Sequence, residues 1–233
     1  MKTDTAADST FRSGAIWVVV GFLVIAAIWY FFLRPAEEKY EPPATIPITT
    51  AGAKATIYEL VPGESGVRFT MDELLRGQPK TVVGVTGLVS GQIALDWADL
   101  STAQVGIIQA NARSFFTDDI FRDEALHMFI IDSQTFPLVR FSPSRIDGLP
   151  ERIEVGETAV FTLTGDLTIR DITRTATFDG TAVLVSPTRL EGSAAATIRR
   201  ADFELVIPRV TQVANVDEEF LIEIEFVATA VED

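Results

Sequence analysis

A run of uncharged, mostly apolar residues near the start of the chain, residues 15–33, constrains the molecule more than any other feature. Its sequence is AIWVVVGFLVIAAIWYFFL, with Trp17, Trp29 and Tyr30 toward its ends. The hydrocarbon core of a bilayer is about 30 Å thick and needs roughly 20 apolar residues of helix, and amphipathic rings suit the headgroup zone. The run therefore predicts a single transmembrane anchor, preceded by a short N-terminal tail, residues 1–14.

A cleaved secretory signal is the alternative interpretation of this run. The apolar part of a signal is usually about 7–15 residues long and precedes a small-x-small site. The run is longer, and the following RPAEEK offers no clean Ala-x-Ala, which favours an uncleaved anchor. Flanking positive charges nearly tie, with Lys2 and Arg12 before the run and Arg34 and Lys39 after it. Because the free N-terminus adds a charge to the leading side, we expect an extracytoplasmic C-terminal domain, periplasmic or at the cell surface.

Residues 34–55 contain four prolines among small and charged residues. Proline opposes helix and favours extended chain, so this segment predicts a proline-rich stalk. The remainder, residues 56–233, has an ordinary size for one domain with a full core.

Charge and cysteine content exclude several classes of function. The chain has a net charge of −14, which repels phosphate backbones and argues against a nucleic-acid partner. It contains no cysteine, so disulfides, thiol catalysis and cysteine-bound zinc or iron–sulfur sites are excluded. The sequence identifies no protein partner.

Alternation of apolar and polar residues dominates the domain, for example over 67–71, 161–169 and 220–226. Successive side chains of a strand point to opposite faces, so this period of two is typical of half-buried strands. Many strands joined by short turns predict an antiparallel barrel or sandwich. Further strands are predicted near 56–60, 80–87, 88–96, 101–112, 137–147, 172–185 and 188–199.

Residues 117–129 break this rhythm with apolar residues at helical spacing, opened by Thr117 and acidic residues that suit a helix amino end. A single short helix in such a chain can cap a barrel mouth, and a second helical turn is predicted around 201–205. Small residues such as Ala194 and Gly180 occupy predicted inward positions. They leave volume for a ligand, or phenylalanines fill the gaps; both alternatives stay open.

Four segments in order carry a family resemblance: 65–69 (SGVRF), 122–141 with RDEAL and FPLVRF, 165–173 (GDLTIRDIT), and 200–203 (RADF) with a closing strand over 216–228. Together they resemble the YceI-like lipid-binding domains of bacteria, over about residues 57–231. The resemblance implies an all-β, lipocalin-like antiparallel β-barrel with one or two short helices, here preceded by the single transmembrane helix. It also implies one long apolar ligand, such as a polyisoprenoid, an isoprenoid quinone or a fatty amide, and we expect no cofactor beside it. Glu64 and Ala125 stand where the family has histidine, and Asp171 where it has glycine.

The inward rows supply the candidate ligand-lining residues. From the strands these are Val67, Phe69, Val85, Ile107, Phe161, Leu163, Phe178, Ile222, Ile224 and Phe226, and from the capping helix Phe121 and Phe129. The alternative for each is ordinary core packing, because a one-residue register error inverts a row. Arg200 and Asp202 are candidates for holding a polar headgroup, since the arginine fork suits a carbonyl, carboxylate or phosphate. Their alternative is an ion pair that fixes a turn.

Catalysis is not expected. His127 lies near Asp132 and Ser133 in the sequence, but triad chemistry needs an exposed nucleophile and an oxyanion hole, and no Gly-x-Ser-x-Gly elbow is present. The single histidine is too little for the usual metal clusters. We expect a membrane-tethered lipid-binding protein, with a filled barrel that serves as a structural or interaction protein as the alternative.

Overall fold

The computed structural model describes residues 40–49, 52 and 54–231. Within these residues, no helix combines the length and the apolar character needed to span a membrane. The predicted tail and anchor, residues 1–14 and 15–33, lie outside the described residues and stay predictions.

The strands follow the alternation in the sequence, and the expected all-β, lipocalin-like fold is confirmed. They are β1 Thr56–Leu60, β2 Gly66–Leu75, β3 Gln78–Thr86, β4 Val89–Ser90, β5 Gln92–Leu95, β6 Gln104–Val105, β7 Ile108–Asn111, β8 Leu138–Asp147, β9 Thr158–Ile169, β10 Ile172–Ser186, β11 Arg189–Arg199, β12 Val213–Ala214 and β13 Glu219–Ala230. The strand predicted over 101–112 is instead two short strands, β6 and β7, flanked by 3-10 turns at Leu100–Thr102 and Ala112–Ser114.

The strands pair in one antiparallel sheet that curls into a barrel. β13 pairs with β11 on one side, and with β2 and then β1 on the other. β4 pairs with β7 at one end of the sheet order, and β5 pairs with β1 and β6 at the other. Because β4 and β5 follow each other directly along the chain, the two ends of the sheet meet.

A short helical segment covers one end of the barrel. It consists of the helix α1, Ile120–Ala125, and a π-helical turn, Leu126–Ile130, so the predicted helix starts later than expected. Asp119 caps α1, because its carboxylate accepts hydrogen bonds from the backbone N–H groups of Phe121 and Arg122. The second predicted turn is a 3-10 turn at Arg200–Phe203.

Glycines on the inner faces make room for phenylalanine rings. A Cβ atom on Gly180 would lie 2.6 Å from Cζ of Phe161, and one on Gly192 would lie 2.5 Å from Cζ of Phe226. Both distances are far below van der Waals contact. At these two positions the small residue accommodates a neighbouring ring, as the filled-gap alternative predicts.

Part of the predicted stalk, residues 34–55, packs against the barrel. The compact unit begins at Tyr40 rather than near Thr56. We call residues 40–49 the N-terminal strap. The Asn111 amide donates to Glu41 O at 3.1 Å, and Ile48 N donates to the Gln92 side chain at 3.0 Å. Proline content predicts a stalk, but it does not reveal that barrel side chains bind the peptide groups of this segment.

We expect Gly180→Ala to destabilise the fold by about 1–3 kcal/mol, because the added methyl group overlaps the Phe161 ring and Ser193 O. The free energy of unfolding by urea measures this effect. Gly87→Ala is the matched control, since the nearest atom to its Cβ lies at 3.7 Å, and it should change stability by less than about 0.5 kcal/mol. Equal stability of the two variants would contradict the close packing of Phe161 on Gly180.

Candidate functional site

The barrel interior contains two apolar cavities. The mouth cavity, of about 590 Å³, lies at the end covered by the helical segment. The inner cavity, of about 80 Å³, lies toward the opposite end. Ile108 on β7 borders both, so the two spaces are stacked along the barrel. A volume of 590 Å³ falls within the range of about 300–1,000 Å³ that is usual for small-molecule sites.

Strand alternation builds the wall of the mouth cavity. On β2 the inward face consists of every second residue, and on β13 the inward pair Phe220 and Ile222 lines the same space. The contributing residues of β2 are Val67, Phe69, Met71, Glu73 and Leu75. The cavity is therefore apolar in its depth and charged at the mouth, where β2, the helical segment and the 3-10 turn at Arg200–Phe203 contribute charged residues.

A buried ion pair lies at that mouth. Glu73 is 7% exposed, and Arg122 of α1 donates from Nη2 to its Oε1 at 2.9 Å. The other Nη of Arg122 contacts Asp118 at 2.7 Å, and Asp118 also contacts Lys80 of β3 at 2.5 Å. The hydrogen bond from Lys80, with a further contribution from Arg122, lowers the pKa of Asp118. This network fastens the helical segment to the β2–β3 hairpin.

Sequence reasoning did not select Glu73 or Arg122 as site residues, although a signal was available for the first. The period of two that places Val67, Phe69 and Met71 inward also places residue 73 inward. A charge at an inward position is informative because an isolated buried carboxylate is costly and requires a partner. The partner comes from α1, which is distant in sequence, so only the fold reveals it.

Arg200 lies on the opposite side of the mouth and fixes a loop. Its guanidinium donates to the backbone oxygens of Asp217 at 2.7 Å and Leu205 at 3.0 Å, and it pairs with Glu218 at 3.1 Å. These bonds correspond to the turn-fixing alternative for this residue. Asp202 is exposed and lines neither cavity. A headgroup role for these two residues stays a prediction.

The structure divides the predicted lining residues into three groups. Val67, Phe69, Phe121 and Ile222 line the mouth cavity. Phe161, Leu163, Ile224 and Phe226 line the inner cavity. Val85, Ile107, Phe129 and Phe178 line neither.

The four exceptions have physical causes. Val82 lines the cavity, so strand alternation places Val85, three residues later, on the outer face. The backbone of Val85 pairs with Phe116. Ile107 falls between β6 and β7, where Ile108 takes the inward position. Phe129 is exposed on the outer side of the π-helical turn. Phe178 is buried in the core, where its ring centroid lies 4.8 Å from that of Phe141.

The residues considered for catalysis do not form an accessible site. His127 Nδ1 and Ser133 Oγ lie 3.2 Å apart, so the two side chains do meet. Ser133 is, however, only 1% exposed. A nucleophile needs contact with substrate, and this hydroxyl is enclosed by protein.

Comparison with protein families matches the YceI-like domain over residues 58–228. The chain belongs to the YceI-like family. Among solved structures, it is similar to a polyisoprenoid binding domain from Saccharophagus degradans, with 15% identity, a TM-score of 0.59, and coverage of 75% of this chain and 98% of the other. It is also similar to Burkholderia cenocepacia BcnA, with 21% identity, a TM-score of 0.57, and coverage of 73% and 99%. At these identities the likeness shows the YceI-like fold. A search of curated proteins gave no significant match.

Removing one partner of the ion pair at the mouth leaves a buried charge. We expect Arg122→Met to destabilise the fold by about 2–3 kcal/mol, because the Glu73 carboxylate loses its partner while only 6% of its side chain is exposed. Thermal and urea unfolding measure the loss. Glu73→Gln combined with Arg122→Met should lose less than Arg122→Met alone.

The control for this prediction is the exposed pair of Arg68 and Glu223, in which the arginine side chain is 41% exposed. Arg68→Met should cost less than about 1 kcal/mol. Equal losses in the free energy of unfolding for the two arginine variants would show that the buried pair stabilises the fold no more than an exposed one.

Proposed function

We propose that this YceI-like protein is a membrane-tethered, extracytoplasmic binding protein that holds a long apolar lipid in its mouth cavity for sequestration or transport. The lipid classes in question are a polyisoprenoid, an isoprenoid quinone and a fatty amide. The mouth cavity carries the proposal, because it is apolar, has the volume of a ligand site and opens at one end of the barrel. Each Å² of apolar lipid surface removed from water there contributes about 25 cal/mol.

The division of the barrel supports a specific arrangement of that lipid. The inner cavity measures about 80 Å³, and the rings of Phe161 and Phe226 fill the space above Gly180 and Gly192. That half of the barrel is a packed core. The lipid therefore occupies the mouth half, and Phe161, Leu163, Ile224 and Phe226 support its floor.

The arrangement of charged residues at the mouth is consistent with lipid binding without catalysis. Two of the arginines at the mouth are paired with carboxylates, Arg122 with Glu73 and Asp118 and Arg200 with Glu218. The similar domain from Saccharophagus degradans is described as a polyisoprenoid binding domain. On this proposal the protein is a carrier and not an enzyme, and its mechanism is to take an apolar chain out of water.

Tethering completes the proposal. The apolar run at residues 15–33 is long enough to cross a bilayer, which supports a single-pass anchor with the barrel outside the cytoplasm. An anchor keeps the barrel at a high effective concentration near its lipid source.

The filled-barrel alternative has one observation in its favour, namely the packed inner half. Variants of two adjacent valines on β3 distinguish the filled barrel from the lipid carrier. Val82 is 2% exposed and lines the mouth cavity, whereas Val83 is 39% exposed on the outer face. We expect Val82→Phe in the full-length protein to lower lipid affinity about tenfold or more, because overpacking of the cavity opposes the ligand. Val83→Phe should leave affinity unchanged.

Native mass spectrometry of the detergent-purified protein, followed by extraction and identification of the lipid, measures this effect. Thermal unfolding of both variants checks that each is folded. A wild-type protein that carries no lipid and takes up no polyisoprenol or quinone on incubation would contradict the carrier and favour the filled barrel.

A further inference from the structure

We propose that an exposed apolar rim around the mouth cavity docks on the lipid bilayer, so that lipid passes into the barrel without crossing water. The inference rests on the proposed function and adds the surface through which the lipid is exchanged. We call this surface the mouth rim. It consists of Ile120, Phe121, Met128 and Phe129 on the helical segment and of Val206 and Val210 on residues 204–212, the loop before β12, which we call the facing loop.

The helical segment is apolar on two faces. Its inner face, with Leu126 and Ile130, lines the mouth cavity. Its outer face exposes Phe121 by 77% and Phe129 by 61%. A surface helix of a soluble protein normally turns polar residues outward, so two exposed phenylalanines on a segment that already buries its inner face indicate a partner. Phe121 both lines the cavity and is exposed, which places the outer face at the opening.

The facing loop completes the rim from the other side. Val206 is 71% exposed, and Val210 is exposed while it also lines the mouth cavity. The bonds of Arg200 to the backbone oxygens of Leu205 and Asp217 hold this loop in place. Apolar groups thus border the opening on two sides, and hydrogen bonds and ion pairs fix both sides.

The course of the N-terminal strap identifies which end of the barrel the anchor leads to. Near its start, Glu41 binds Asn111, which follows Ala110 in the wall of the mouth cavity. Near its end, Ile48 binds Gln92, which precedes Ile93 in the wall of the inner cavity. The strap therefore runs from the mouth end toward the inner end, and its first residue is at the mouth end.

The short segment between the predicted anchor and the strap limits how far the first residue of the strap lies from the membrane. The predicted anchor ends at Leu33, and the strap begins at Tyr40. Fully extended chain spans at most about 3.6 Å per residue, so these seven steps reach about 25 Å. A predicted anchor in a bilayer therefore leaves the first residue of the strap, which is at the mouth end, within about 25 Å of the membrane surface.

The charge around the rim selects the kind of docking. Asp118, Asp123 and Glu124 lie on or beside the helical segment, Arg209 lies between the two rim valines, and the whole chain has a net charge of −14. Anionic headgroups repel such a surface, so the apolar side chains supply the attraction. Docking is consequently expected on zwitterionic bilayers and should not strengthen when anionic lipid is added.

The absence of cysteine from the chain allows a direct test with single labels on the full-length protein. Val206→Cys and Phe129→Cys report on the rim. Val155→Cys is the matched control, because Val155 is 52% exposed beside Ile153 in the wall of the inner cavity, at the other end of the barrel. Each variant is reconstituted in phosphatidylcholine vesicles, labelled with an environment-sensitive dye and exposed to nitroxide-labelled lipid. We expect strong quenching at both rim positions and little at Val155. Equal quenching at the two ends would overturn the proposal.

A second experiment separates docking from lipid binding. Met128→Glu combined with Phe129→Glu changes two exposed residues that do not line the cavity, and Val155→Glu combined with Val185→Glu is the control at the other end. The probe is a dansyl-labelled polyisoprenol. Transfer from phosphatidylcholine vesicles to the rim variant should slow about tenfold or more, while binding from detergent micelles stays unchanged.

The outcomes are distinguishable. Binding from micelles with equal transfer rates for both double variants would refute the docking surface and leave the proposed function intact. Failure to bind the probe in either setting would count against the proposed function, while the quenching experiment still decides the docking. Quenching at the rim only after addition of membrane proteins would assign the surface to a protein partner and overturn the bilayer as its occupant.

Discussion

The alternation along β13 is the constraint on which the rest of the barrel depends. This strand pairs with β11 on one side and with β2 and β1 on the other, so its register fixes three neighbours at once. Its inward residues also form the wall of both cavities, with Phe220 and Ile222 at the mouth and Ile224 and Phe226 deeper inside. A shift by one residue would turn glutamates into the interior and phenylalanines into water.

Ring and glycine pairs fill much of the barrel interior. In the deeper half, Gly180 on β10 and Gly192 on β11 lie opposite Phe161 and Phe226, whose rings occupy the space that a side chain would need. At the mouth, Gly84 on β3 lies opposite Phe69 in the same way, but the helical segment and the loop after Phe203 cover the remaining space without filling it. The position of the ligand space thus depends on the cap as well as on the ring and glycine pairs.

Much of this was accessible from the sequence. The period of two identified the strands and the inward rows, and the helical spacing identified the cap. Prediction of the inward face failed where both faces of a strand are apolar or where a strand is interrupted. β3 contains Val82, Val83 and Val85, apolar on both faces, and only the pairing with β2 decides that Val82 is inward. Ile107 and Ile108 pose the same ambiguity at a break between two short strands. The Glu73–Arg122 pair and the path of the N-terminal strap depend on contacts distant in sequence, which local patterns do not encode.

The cap is fixed to the barrel by ion pairs and yet exposes phenylalanines to solvent. Arg122 and Glu73 tie it to the barrel from within, while Phe121 and Phe129 on the same segment stay exposed to the outside. Apolar packing alone would favour burial of these phenylalanines against the cavity wall, because removal of apolar surface from water is favourable. The ion pairs Arg122–Glu73 and Asp118–Lys80 resist that movement, because both join the cap to the β2–β3 hairpin and would separate if the cap shifted. Held in this way, the cap leaves space beneath it and phenylalanines at its outer surface, and the proposed exchange of lipid with a membrane requires both.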